Sequence, residues 1–260
     1  NINIAEYTAN GNFSDKADVG QYYYQGVQPH AVTEVENLNN AISTTTQNIA
    51  YTPFNKVEVI EEVDENKLII TYGPENRRKK TMLYQWINNN WELQQTKYFV
   101  RGIFEKITDE TTGATTELNY ISGGDGLAAI FASNNSSSAL YYIHKDHLGS
   151  YQAITNGSGV LVEEMNFDPC SVKLAFCECS ETKSIVELIP ISAAVREGNR
   201  RNPAGWSYPA SEEYYLFDRG FTGHEHLDQF SLINMNGRVY DPILGRFLSP
   251  DNYIQVPDYT

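Results

Sequence analysis

The segment that decides the fold reads Leu216-Phe217-Asp218-Arg219-Gly220-Phe221-Thr222-Gly223-His224-Glu225, then Leu232-Ile233-Asn234-Met235-Asn236-Gly237-Arg238-Val239-Tyr240-Asp241-Pro242, and ends Leu244-Gly245-Arg246-Phe247-Leu248-Ser249-Pro250-Asp251. In its second half an aromatic residue ends a strand at Tyr240. Asp241 can then accept hydrogen bonds from backbone N–H groups two residues further on, and Pro242 fixes its own φ. Gly245 supplies a positive φ that lets the next strand return. These residue types predict a β-hairpin.

An internal repeat indicates how the first half of the chain is built. The string Tyr51-x-Pro53-x-Asn55-Lys56 recurs 21 residues later as Tyr72-x-Pro74-x-Asn76-Arg77. Between the two copies, 56–60 and 67–72 have strand-like composition and predict the arms of a hairpin that turns at 64–66. A repeat of this length is typical of arrays whose units bury apolar surface only against their neighbours.

Weaker copies of the hairpin pattern flank this pair. Segments 21–24 and 30–35 predict one hairpin, and 81–98 predict another with three asparagines at its tip. Residues 98–107 predict a strand that turns near Gly113 and returns to Tyr120, whereas the polar tract 132–138 predicts a mobile loop.

Two further motifs follow in the middle of the chain. One is the string Asp146-His147-Leu148-Gly149-Ser150. The other is Asn156-Gly157-Ser158-Gly159, which separates two apolar strands and predicts a tight hairpin turn.

The hairpin pattern is interrupted after Phe167-Asp168-Pro169. Removing the next 28 residues would join this string to Gly198-Asn199-Arg200 and give a near copy of the turn at Tyr240. Residues 170–197 are therefore predicted to be an insertion at a hairpin tip, where added length is best tolerated. All three cysteines, Cys170, Cys177 and Cys179, lie in it. Their spacing leaves a disulfide with one free thiol, three reduced thiols and a zinc site as alternatives.

Composition excludes several classes of function. The net charge of −14 argues against a general nucleic-acid or anionic-membrane binder, because phosphate contacts need clustered Lys and Arg. The short basic run 77–80 is interpreted as solvated strand ends. No apolar run is long enough to span a membrane. The chain begins with strand-like alternation and without Met, which we interpret as a fragment of a longer protein.

The sequence contains few motifs that indicate catalysis or the binding of phosphate or metal. There is no nucleophile elbow and no phosphate-cradling glycine loop. His144, Asp146 and His147, or the string His224-Glu225-His226, could supply metal ligands, but turn residues are the preferred interpretation. We therefore expect no metal and no cofactor.

The motifs at 146–150, 221–225 and 240–247, together with the tyrosine repeat, resemble the RHS repeat-associated core and the YD repeats of RHS proteins. The resemblance covers most of the chain outside 170–197. It implies an all-β fold, an array of antiparallel β-hairpins forming a curved, spiralling sheet that is part of a β-shell or cocoon. It divides the chain into shell hairpins at 1–138, a core region at 139–169 and 198–260, and the insertion at 170–197.

In proteins of this family the shell encloses a C-terminal cargo domain, often a toxin. In similar cell-surface proteins, including the teneurins and the insecticidal Tc toxin subunits, the shell also supports adhesion or delivery. The resemblance therefore implies an encapsulating, non-enzymatic role in a secreted or cell-surface protein. The implied partners are the cargo domain of the same polypeptide and a delivery machinery or cell-surface partner, with no nucleic acid.

Two alternatives remain at the level of sequence. RHS cores often cut their own chain with a pair of aspartates, and Asp251 is the candidate for one of them, with the second carboxylate beyond Thr260. Two close carboxylates suit this chemistry because one holds a proton while the other activates water. The other alternative is an adhesion module binding glycan or protein, which would present a patch of several exposed tyrosines.

Overall fold

The computed structural model describes residues 5–17, 19–27, 30, 32–38, 42–167, 173–174, 200–201 and 215–249. The chain forms two compact units, Asn1–Thr46 and Gln47–Thr260. The predicted insertion at 170–197, apart from the backbone of 173–174, and Asp251 lie outside the described residues. The division into shell, core and insertion segments stays a prediction.

The first unit contains a small antiparallel sheet. Its strands, in spatial as well as sequence order, are β1 (Ala5–Tyr7), β2 (Phe13–Lys16), β3 (Gly20–Tyr23) and β4 (Glu34–Val35). Tyr22 pairs with Val35, so the hairpin predicted from 21–24 and 30–35 is confirmed.

The second unit is dominated by one antiparallel sheet of eleven strands, the main sheet, whose spatial order follows the sequence. Its strands are β5 (Gln47–Tyr51), β6 (Val57–Glu62), β7 (Asn66–Tyr72), β8 (Arg78–Ile87), β9 (Asn90–Val100), β10 (Phe104–Asp109), β11 (Thr115–Gly123), β12 (Gly126–Asn134), β13 (Ser138–Lys145), β14 (Tyr151–Asn156) and β15 (Leu161–Glu164). The predicted all-β fold made of antiparallel hairpins is therefore confirmed.

Four short strands form a second layer in residues 215–249, which we call the lobe. They are β19 (Glu225–Leu227), β20 (Leu232–Asn234), β21 (Val239–Asp241) and β22 (Arg246–Phe247), and they pair antiparallel in sequence order. The strands β16 (Asn166–Phe167), β17 (Lys173–Leu174) and β18 (Arg200–Arg201) form a separate three-stranded sheet in which β17 and β18 run parallel. Short 3-10 segments occur at Pro74–Asn76, Phe221–Gly223 and Asp228–Phe230.

The two copies of the tyrosine repeat form equivalent turns at one end of the main sheet. Thr52 N–H donates to the carbonyl of Lys56 over 2.8 Å, and Gly73 N–H donates to the carbonyl of Arg77 over the same distance. Asn55 and Asn76 occupy matching positions with φ of 59° and 53°, a region that asparagine tolerates better than most residues. The repeat thus specifies the connection between hairpins.

Two predictions of where strands begin and end are wrong. Residues 98–107 do not form one strand, because the chain reverses at Arg101 and Gly102, with φ of 49° and 71°, to separate β9 from β10. Segment 132–138 is not a long loop either. Asn134 Oδ1 accepts the N–H groups of Ser136 and Ser137 over 2.9 and 2.8 Å, so β12 and β13 continue to a three-residue turn.

The lobe packs on one face of the main sheet and forms two apolar clusters with it. In one, Phe217 meets the buried ring of Tyr141 at a centroid distance of 5.5 Å, next to Leu118 and Ile154. The other joins lobe residues such as Phe230 to side chains of β6, β7 and β8. Successive side chains of a strand point to opposite faces of the sheet. The lobe therefore packs against every second residue of the main-sheet strands that it covers.

Candidate functional site

The turn at Tyr240, which predicted the hairpin, has the expected geometry. Asp241 Oδ1 accepts the N–H groups of Ile243 and Leu244 over 2.9 and 2.8 Å. Gly245 has a φ of 68°, and Asp241 pairs with Arg246 across the β21–β22 ladder. The role of this aspartate is to build a turn. Asp251, the predicted catalytic carboxylate, lies outside the described residues, and its role stays a prediction.

The two loop motifs singled out in the sequence lie against each other. Asp146 Oδ1 closes its own loop by accepting the N–H groups of Leu148 and Ser150, each over 2.8 Å. Ser150 is buried, and its Oγ accepts the N–H of Thr222 over 3.1 Å. Tyr151 N–H donates to the carbonyl of Gly220 over 3.0 Å. These contacts attach the start of the lobe to the loop between β13 and β14.

The histidines considered as metal ligands have other partners. His226 Nε2 accepts the N–H of Phe221 over 3.1 Å, so this nitrogen carries no proton. His224 Nδ1 lies 2.6 Å from Thr222 Oγ1, and burial together with the charge of Arg219 lowers the pKa of His224. His144 Nε2 is 3.0 Å from Thr155 Oγ1. Within the described residues, no group of three or more His, Cys, Asp or Glu side chains could hold a metal ion.

A buried ionic cluster links the lobe to four neighbouring strands of the main sheet. Glu225 of the lobe pairs with Arg78 of β8 and, over 3.0 Å, with Lys97 of β9. Lys97 also pairs with Asp218 of the lobe.

The second half of the cluster is centred on Arg219 of the lobe. This side chain pairs with Glu105 of β10 and donates to the hydroxyl of Tyr120 on β11 over 3.1 Å. Every one of these contacts crosses from the lobe to the sheet.

The cluster is balanced in charge and largely buried. Its three carboxylates belong to Glu105, Asp218 and Glu225, and its three cations to Arg78, Lys97 and Arg219. The side chains of Glu105 and Glu225 are only 1% and 2% exposed. Buried charges of this kind need partners, because transferring an unpaired charge from water into the protein interior costs on the order of several kcal/mol.

The carboxylates of the cluster differ in how easily they bind a proton. Burial raises the pKa of Asp218 to about 6; Lys97 opposes this shift, while the nearby Glu225 adds to it. Burial alone would also raise the pKa of Glu225, but Arg78 and Lys97 outweigh it and hold that pKa well below its usual range. Glu225 therefore stays ionised while Asp218 titrates in mildly acidic solution.

The arrangement suits docking better than catalysis. Both carboxylates next to Lys97 are engaged with buried cations, and Glu225 has almost no contact with solvent through which a substrate could arrive. A buried ion pair stabilises little relative to apolar packing, but breaking it leaves an uncompensated buried charge. Shifting the lobe along the sheet would separate these pairs.

The sequence interpretation missed most of this cluster. Arg78 was assigned to solvated strand ends, which is wrong, because its guanidinium is buried, pairs with Glu225 and lies 3.9 Å from the ring centroid of Phe99. One available signal was strand alternation. Glu105 is two residues from Ile107 and shares its inward face. A charged residue at such a position implies a buried partner, but the sequence does not say which one.

The fold and the cluster define a class: an antiparallel hairpin sheet with a small β-lobe held on one face by buried charge. No protein-family model matches the sequence, and no curated protein matches it. Solved structures do match the fold. A complex of TcdB2, TccC3 and Cdc42 is 17% identical with a TM-score of 0.56, and the match covers 79% of this chain and 9% of that chain.

Two more Tc toxin structures are similar in the same way. The Photorhabdus luminescens Tc holotoxin pore with a mutated TccC3 is 13% identical with a TM-score of 0.62, covering 96% of this chain and 12% of that one. TcdB2-TccC3 without its hypervariable C-terminal region is 17% identical with a TM-score of 0.54, covering 79% and 9%. This chain thus has the fold of part of a Tc toxin component and spans about a tenth of its length.

The described surface bears on the adhesion alternative. The exposed tyrosines of the main sheet, Tyr51, Tyr98 and Tyr142, lie on β5, β9 and β13. Each is four strands from the next, a separation of about 19 Å at the usual strand spacing. Three rings so far apart do not form one contiguous patch. In addition, no helix among the described residues is long and apolar enough to cross a membrane.

Proposed function

We propose that this chain is a segment of an RHS/YD-repeat shell that sequesters a cargo domain, with the lobe as part of its RHS repeat-associated core. The observation that carries the proposal is the main sheet itself. Its eleven strands follow one another in sequence order, and within the described residues its edge strands, β5 and β15, each pair with one neighbour only. Such a ribbon can be extended at both ends by adding hairpins.

Three further findings support this function. The repeated tyrosine motif forms equivalent turns, as expected of a repeat array. The motifs that carry the sequence resemblance, 146–150 and 221–225, contact each other. The fold is similar to that of Tc toxin components, which belong to the group of proteins that the resemblance suggested.

The role we infer is mechanical. Twist accumulates with one hand along a ribbon of strands, so a long ribbon curves and can enclose a volume. We infer that the partner is a cargo domain of the same polypeptide and that the parent protein is secreted or on the cell surface. The chain itself is proposed to have no enzymatic turnover. Self-cleavage through Asp251 in a longer parent stays a prediction.

Protease protection tests the proposed sequestration. The full-length parent is treated with a nonspecific protease before and after mild urea destabilises the shell, and cargo fragments are followed by mass spectrometry. If the shell sequesters the cargo, cargo sites are cut only after the shell opens. Cleavage of the cargo at the same rate in the untreated, folded protein would overturn the proposal.

A further inference from the structure

A cavity of about 300 Å³ lies between the lobe and the turns at one end of the main sheet. Its charged lining side chains are Lys56, Arg77, Arg78, Arg101, Arg219 and Glu105. Five cations and one carboxylate therefore face a single cavity, in a chain whose net charge is −14. Cations gathered around one cavity repel one another, and an anionic ligand would offset that repulsion.

Two of the five cations are already neutralised. Arg78 pairs with Glu225 and Arg219 pairs with Glu105, and these four charges form part of the ionic cluster. They make the inner wall of the cavity rigid. A ligand would meet the outer faces of these guanidinium groups without having to break the ion pairs.

No buried carboxylate among the described residues pairs with the other three cations. Lys56 Nζ donates to the carbonyl of Asn76 over 2.9 Å, and burial and the nearby Arg78 lower its pKa. Arg77 pairs only with Glu75 in the described part of the chain, and both side chains are at least two-thirds exposed, so water screens the pair. Among the described residues, Arg101 makes no ion pair.

Neutral groups complete the lining. Asn234 is buried, and its Oδ1 accepts the N–H of Asn236 over 2.9 Å, which leaves its amide N–H groups as donors. The ring of Phe99 lies under the guanidinium of Arg78 and fixes the plane of that side chain. Donors on a preorganised wall reduce the entropy lost when a ligand binds.

We propose that this cavity binds a small, multiply charged oxyanion, of the phosphate class. Guanidinium groups present N–H donors in a planar fork that matches phosphate oxygens, and charge-assisted bonds of this kind are the stronger ones. The volume admits a phosphate group with a small substituent. The site goes beyond the proposed shell function and does not depend on the cargo.

Titration calorimetry with sodium pyrophosphate, at fixed ionic strength, tests the site in the whole 260-residue chain. Arg101→Gln removes one of the unneutralised cations and is expected to weaken binding about tenfold, the loss of one charge-assisted hydrogen bond. Lys79→Gln is the matched control. Lys79 follows Arg78 at the start of β8, is exposed and does not line the cavity. Removing its charge should therefore change the affinity for pyrophosphate by no more than about twofold.

The result that supports the site is saturable binding of one pyrophosphate per chain that Arg101→Gln weakens and Lys79→Gln does not. Absence of saturable binding would overturn the proposal, as would equal weakening by both substitutions, which indicates charge attraction without a site. A glutamate-rich hexapeptide is titrated in parallel. If this peptide binds and pyrophosphate does not, the cavity recognises polypeptide carboxylates and the proposal is wrong.

Discussion

At the scale of single residues, Glu225 is the side chain on which the ionic cluster depends most. It is buried and accepts from both Arg78 and Lys97. Glu225→Gln would leave the buried Arg78 without its carboxylate and Lys97 with Asp218 alone, so the free energy of unfolding should fall by about 3–5 kcal/mol. Urea denaturation followed by tryptophan fluorescence measures this change.

The control for Glu225 is Glu117→Gln. Glu117 pairs with Lys106 over 3.7 Å on the surface, where both side chains are more than 40% exposed. An exposed pair contributes about 1 kcal/mol or less. If the two substitutions destabilised the chain equally, the cluster would have no special role in holding the lobe.

Asp218 makes the stability of the chain depend on pH in a predictable direction. Its pKa rises from an ordinary value near 3.8 to about 6 on folding, so the folded state binds the proton more tightly than the unfolded state. The free energy of unfolding should therefore fall as the pH increases from about 4 to about 6, by an amount on the order of 2 kcal/mol. Asp218→Asn should remove this dependence.

The quantity to compare is the free energy of unfolding of the wild type minus that of Asp218→Asn at each pH. The difference is needed because other groups in the cluster region also titrate. His224 has a lowered pKa, so its contribution to the free energy of unfolding changes in the opposite sense as the pH rises. Glu225, with its lowered pKa, contributes stability that is lost only in more acidic solution. A wild-type-minus-variant difference that stayed constant between pH 4.5 and 7 would refute the assignment to Asp218.

At the scale of elements, Gly220 allows the lobe to approach β16 closely. A Cβ at this position would lie 2.8 Å from Cζ of Phe167 and 2.9 Å from Nε2 of His226. Gly220→Ala should destabilise the chain by about 1–3 kcal/mol, the usual range for overpacking a buried site. Thermal unfolding measured by circular dichroism detects this loss.

Gly124→Ala is the matched substitution for Gly220→Ala. No atom lies within 4 Å of the added Cβ at Gly124, which is on an exposed turn of the main sheet. Its effect should be within about 0.5 kcal/mol. A similar Tm for both alanine variants would show that the lobe does not need the close approach at Gly220.

Hairpins could be predicted from the sequence because their signals are local. Asn88 and Asn89 have φ of 51° and 62°, and the tip predicted for 81–98 joins β8 to β9 as expected. The lobe's partners could not be predicted in this way. Lys97 and Asp218 are 121 residues apart in sequence, and no local pattern connects them. The basic cavity was missed for the same reason, since its lining comes from separate turns and from the lobe.

At the scale of the whole molecule, the unclosed edges of the main sheet have a consequence in solution. In the described structure β5 pairs only with β6, and β15 only with β14. Unpaired edges recruit other strands, so the isolated chain should associate with itself and scatter light as a mixture of sizes. Ala50→Lys, an exposed position on β5, should reduce this association by placing a charge on the edge.

The matched variant for the edge is Ala128→Lys, which adds the same charge at an exposed position on β12, an interior strand of the main sheet. It should leave the size distribution unchanged. A sharp, monodisperse monomer for the wild-type chain would contradict the prediction that its edges are open to pairing.

The most direct measurement of the central claim is a cryo-EM structure of the full-length parent protein. A shell segment predicts that β5 and β15 each pair with a further strand of the parent, and that the cargo domain lies inside the enclosed volume on the lobe side of the sheet. Edges left facing solvent, with the cargo domain away from the sheet, would contradict the account.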